Sequence, residues 1–97
     1  MNGIATAGAG QAAITGPMTF ATVTELRREG RRVLRAATGE TVFDLRGVTQ
    51  ADSAGLALLV DWLAFGRAHG RQLRFVNLPE TLQALAVIAD VRTLLAA

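Results

Sequence analysis

The chain has no cysteine, no lysine, no tyrosine and a single histidine among its 97 residues. Each absence removes a class of chemistry. Without cysteine there is no disulfide, no thiolate metal site and no cysteine nucleophile. With His69 as the lone imidazole, a zinc site would have to be built almost wholly from carboxylates, so neither a metal nor any other cofactor is expected. Long apolar runs are missing too. Runs such as Gly55 to Val60 fall far below the roughly 20 residues that span a bilayer. The opening "MNGIATAGAG" has no basic region followed by a continuous apolar stretch, so it does not read as a secretion signal. A cytosolic location is the default expectation.

The missing lysine and tyrosine also explain a misleading number. The sequence pI is about 11.0, yet the formal net charge at pH 7 is only +2. All ten basic residues are arginines, so little titrates between neutrality and the guanidinium range, and a small charge persists to high pH. The modest charge gives no reason to expect a nucleic-acid partner.

Half the residues are hydrophobic, which is enough for one packed domain of this length. Residues 1–10, rich in glycine and alanine, read as a flexible start, and 11–97 as the domain. "QAAITGPMTF" reads as a short strand, a Gly16-Pro17 turn and a second extended piece. Thr22 and Glu25 have capping-box spacing ahead of a helix whose apolar stripe is Val23, Leu26, Gly30, Val33, Leu34 and Ala37. Arg27, Arg28, Arg31, Arg32 and Arg35 take the other side, as a solvated face with some i,i+4 pairing or as a surface for acidic lipid or an acidic partner. Gly39 is the expected left-handed cap.

"TVFDL" (41–45) and "QLRFVN" (72–77) read as strands, with a helix from about Ala54 to His69, closed by Gly70, between them. Pro79 suits the first turn of a last helix. Strands alternating with helices imply parallel crossovers, hence an α/β domain with helices packed on a mostly parallel sheet.

The middle helix carries the most distinctive residues. Ser53 reads as its N-cap, with Asp52 favourably placed at the positive end of the helix dipole and Gly55 permitting close backbone approach. Ser53 is no catalytic nucleophile. His69 lies sixteen positions on at the far end of the same helix, about 24 Å away at 1.5 Å per residue. His69 is a polar residue near a helix C-terminus. At 100° per residue Leu56, Leu59, Val60 and Leu63 form one stripe, facing the core. Leu58, Trp62 and Phe65 form a second, roughly opposite, to be covered by a neighbouring helix or left as an apolar interface.

The segment "TVFDLRGVTQADSAGLALLVDWLAFGRAHGRQLRFVNLPETLQALA" resembles the STAS domain, shared by anti-sigma factor antagonists and the tails of sulfate transporters. The resemblance rests on a strand ending Asp44-Leu45, the Asp52-Ser53-Ala54-Gly55-Leu56 turn into a helix, then strand and helix. It covers about residues 11–95. "GPMTFATVTEL" and "RFVNLPETLQALA" look most like the small single-domain subunit of bacterial Mla-type ABC transporters, which move phospholipid between membranes. That likeness implies a non-catalytic subunit that binds a cytoplasmic ABC-type ATPase, reaching the membrane only through the complex. It assigns partner binding to Ser53 and Asp52; Leu58, Trp62 and Phe65 are added from their stripe. In the sigma-regulating relatives the residue matching Ser53 is phosphorylated by a partner kinase. The alternative is therefore an anti-sigma factor antagonist with Ser53 as phosphoacceptor, although Ala54 stands where a second serine is often found.

Overall fold

Two central parallel strands organise the computed structural model, which describes residues 3–6, 8 and 10–88. Strand β2 (Gln11–Met18) buries Ala12, Ile14, Gly16 and Met18 on one face, the period-2 alternation of a strand covered on one side. It pairs in parallel with β3 (Thr41–Ala51), which pairs in parallel with β4 (Leu73–Val76). Strand β1 (Gly3–Thr6) adds to the other edge, antiparallel to β2, giving the order β1-β2-β3-β4. The helices are α1 (Val23–Ala36), α2 (Ser53–Ala68) and α3 (Glu80–Ile88). Both parallel steps move the same way across the sheet, so right-handed crossovers place α1 and α2 side by side on one face. The result is the expected α/β domain with a mixed, mostly parallel sheet.

The core lies between that face and the helices. Phe43 of β3 stacks on Trp62 of α2 at 4.9 Å and 14°, and on Phe75 of β4 at 5.8 Å. Ile14, Met18, Leu34, Leu45, Leu59, Leu82 and the lone polar residue among them, Thr41, are also fully enclosed among the described residues. Among the described residues no helix is long and apolar enough to cross a membrane.

Several local expectations change. Within the segment expected to be a flexible start, residues 3–6 are a paired strand. "QAAITGPM" is one strand rather than two pieces about a turn. Gly16-Pro17 instead marks a register shift, where an irregularity absorbs the proline's missing amide. β3 is twice the expected length and runs directly into Asp52, leaving no loop between strand and helix. Thr22 precedes α1 but makes no side-chain cap. Its hydroxyl turns back instead, donating to Pro17 O at 2.9 Å and accepting from Thr19 N at 3.0 Å, which ties off the β2–α1 turn. Gly39 is not left-handed; α1 closes at Ala37, whose amide donates to Leu34 O. Gly70 is, at φ +66°, just past the end of α2.

Candidate partner-docking site

The start of α2 is built by Asp52, not by Ser53. Asp52 is extended, and its Oδ1 accepts from Ala54 N at 2.9 Å and Gly55 N at 3.3 Å. Its second oxygen, Oδ2, accepts from Phe20 N at 3.1 Å. One side chain thus caps α2 and pins the turn that precedes α1. Gly55 is required here, because a Cβ at this position would lie 2.5 Å from Met18 O at the end of β2. The helix mouth is therefore pressed against the sheet. Ser53, freed from capping, is exposed, and its hydroxyl makes no hydrogen bond to a described residue.

The pinned turn presents Phe20 to solvent with 85% of its surface exposed. Beside it a groove of about 420 Å³ opens between α1 and α2, lined by Phe20, Val23, Ala54, Ala57, Leu58 and Asp61 among others. Small residues on α2 make the groove: Ala54 and Ala57 leave room where longer side chains would meet α1. Asp61 closes its far side through a two-pronged pair with Arg31, at 2.7 and 3.2 Å. Sequence reasoning missed Phe20. The sequence reading placed it at the end of an extended piece, and the only signal was an aromatic residue just ahead of the Thr22 helix start.

Trp62 and Phe65 are not at this surface. The stripe expected to be an interface is covered by α1, with Leu58 at 3%, Trp62 at 0% and Phe65 at 8% exposure. The cause is Gly30. A Cβ there would clash with the Nε1, Cε2 and Cζ2 edge of the indole, so glycine lets the two helix backbones close over Trp62. The indole Nε1 donates to Arg27 O at 3.4 Å. Arg31 and Arg35 lie over the Phe65 ring, 4.8 and 5.2 Å from its centre, and shield it from solvent. Of the stripe only Leu58 reaches the groove, as part of its floor. His69 stays at the opposite end of α2, with Nδ1 2.9 Å from Phe65 O and its ring stacked on Phe65.

The remaining carboxyl of interest, Asp44, lies on β3. Asn77 Nδ2 donates to it at 3.0 Å and Arg46 N at 2.9 Å. These bonds, Asn77 first, together with the Arg46 charge, hold its carboxyl below the usual range. Asn77 adopts φ +58°, which aims its amide at β3. Among the described residues no three of His, Cys, Asp and Glu converge as metal ligands.

The helix mouth thus brings together the capping Asp52, the exposed Ser53 and the apolar groove beside Phe20. A family model described as "Mlab, STAS domain" matches residues 4–96. The chain belongs to the MlaB-type STAS domain family. Among solved structures it is similar to the anti-sigma factor antagonist SpoIIAA in its unphosphorylated form. The TM-score is 0.64 at 14% identity, over 84% of this chain and 77% of that one. It is also similar to the murine Slc26a9 anion transporter in the inward-facing state, with TM-score 0.63 and 20% identity over 86% of this chain. The match spans only 14% of the transporter. At these identities the likeness is one of fold. No curated protein matches the chain by sequence.

Proposed function

We propose that this STAS domain is a non-catalytic adaptor subunit that binds and supports the ATPase of a phospholipid-trafficking, Mla-type ABC transporter at the cytoplasmic face of the membrane. The observation that carries the reading is the mouth of α2. Asp52 spends both carboxyl oxygens on backbone amides of two segments, leaving Ser53 exposed next to an apolar groove and an exposed aromatic side chain. Exposed aromatics beside a shaped pocket are the usual anchors of protein interfaces. The family model supports the MlaB-like assignment.

A second reading has its own observation. The Ser53 hydroxyl is exposed and stands at a helix N-terminus, where a phosphate would meet a favourable dipole. That geometry suits an anti-sigma factor antagonist switched by phosphorylation of Ser53. Phosphate there would add nearly two negative charges next to Asp52 and a docking ledge, and so release a partner.

A titration of the chain against the purified Mla-type ATPase of its own organism separates the readings. Wild type is expected to bind, and Ser53→Glu to keep its fold and lose affinity. Absence of wild-type binding, together with capture of a kinase-like anti-sigma factor and phosphate on Ser53, would replace the first reading with the second.

A further inference from the structure

The arginine face of α1 has no part in the reading above, and it holds the positive charge of the molecule. α1 carries five arginines and two glutamates, a net +3. The other five arginines are outnumbered by six carboxylates, so the rest of the chain is net −1. At 100° per residue Arg27, Arg28, Arg31, Arg32 and Arg35 fall within an arc of about 140° and span about 12 Å of helix. All but Arg31 are exposed. The glutamates do little to cancel them. Glu29 is turned toward β1, where its carboxyl accepts from Ile4 N at 3.5 Å. Glu25 pairs with Arg28 at 3.6 Å, both side chains standing largely in water, where such a pair is weak. Four of the arginines and Thr24 line a cleft of about 210 Å³ on α1 itself, with no acidic side chain in its wall.

We infer that this face lies directly on a bilayer surface rich in anionic phospholipid, with headgroup phosphates held between the guanidinium groups. Each planar fork can take two phosphate oxygens, and clustered basic residues are drawn to the negative potential of such a surface. A protein partner matches this face less well. Stable protein interfaces have an apolar centre from which charge is depleted. The large apolar side chains exposed among the described residues are Phe20, Val87 and Ile88, and none belongs to α1. Nucleic acid matches less well too, because the aromatic ring on this side, Phe65, lies beneath Arg31 and Arg35 at 8% exposure and cannot stack on a base. The inference goes beyond the adaptor reading, which brings the domain to the membrane through a partner, and does not depend on it. Arg28, Arg32 and Arg35 line no part of the groove beside Phe20, so they can be changed without touching the docking site.

The test is co-sedimentation of the purified chain, without the ATPase, with vesicles of mixed phosphatidylglycerol and phosphatidylcholine and with vesicles of phosphatidylcholine alone. Binding is expected to the mixed vesicles only, and is expected to fall as salt is raised. Arg28→Gln combined with Arg32→Gln removes two charges from α1 and should weaken binding by about tenfold or more, at roughly fivefold per arginine. Arg46→Gln combined with Arg74→Gln removes the same charge from exposed positions on the sheet. That pair should weaken binding by no more than about twofold. Equal binding to both kinds of vesicle, equal loss in the two double variants, or no binding at millimolar lipid would overturn the proposal. So would tighter binding to duplex DNA or to a glutamate-rich helical peptide, which would assign the arginines to a nucleic acid or to a protein. Vesicle binding without affinity for the ATPase would leave this inference standing and remove the transporter reading. ATPase binding without vesicle binding would do the opposite.

Discussion

The seam between α1 and α2 is closed in its middle and open at its mouth, and the two regions are made by opposite residue choices. In the middle a small residue faces a large one: Gly30 admits Trp62, and the helices meet over a buried indole. At the mouth small residues face a gap: Ala54 and Ala57 stand opposite Val23, and the nearby large side chain, Phe20, turns outward. An aromatic residue is therefore core or anchor according to the size of what stands across from it. The difference sets a closed, buried seam beside an open apolar groove along a single pair of helices.

Substitutions that reverse those choices break the comparison, and the largest effect belongs to the closed region. Gly30→Val drives a side chain into the indole ring and is expected to destabilise by about 3 kcal/mol or more, at the upper end of overpacking costs. Urea unfolding would measure it. Next comes Asp52→Ala, which removes the α2 cap and the acceptor for the Phe20 amide together. A loss of about 1–2 kcal/mol is expected, with faster amide exchange at Phe20 and Ala54. Phe20→Ala should change stability by less than about 0.5 kcal/mol, because the ring is already in water. Its effect is expected in partner affinity instead. Ser53→Ala should be as quiet in unfolding, since Ser53 holds no cap.

How much of this was legible in sequence depends on which contacts were local. The strands at Thr41–Leu45 and Leu73–Val76 and the breaks at Gly70 and Pro79 follow from patterns within a few residues. The Asp52-to-Leu56 turn was legible as a helix start, but not which residue caps it. Aspartate and serine are nearly equal caps, and the choice was made by Phe20 N, 32 positions away. The stripe of Leu58, Trp62 and Phe65 was legible on α2, but the choice between cover by a neighbouring helix and an open interface was not. Periodicity places residues on a face without saying what covers the face, and the cover comes from elsewhere in the chain: Phe43 of β3 stacked on Trp62, Gly30 of α1 letting the helices close, and Arg31 and Arg35 over Phe65. The arginines likewise read as a solvated row with local pairs. Arg31 instead crosses to Asp61, and Arg35 lies over Phe65.

The smallest expected effect sharpens the contrast from outside the seam. Asn77→Gly keeps the positive φ and removes the amide that bonds Asp44. The Asp44 carboxyl should then titrate higher, closer to an ordinary aspartate, as followed by its side-chain NMR shift. The sign is that of a depressed carboxyl: its contribution is present above the unfolded-state pKa and fades as pH falls through the lower folded value. Binding at the mouth should not change.

Hydrogen exchange on the chain alone and in complex with the ATPase tests the central claim most directly. The account expects new protection at residues 19–28 and 52–58, with the already closed stretch around Trp62 and the β3–β4 pairing unchanged. Protection confined to the β4 edge or to the sheet face away from the helices, with the α2 mouth still exchanging freely, would contradict it.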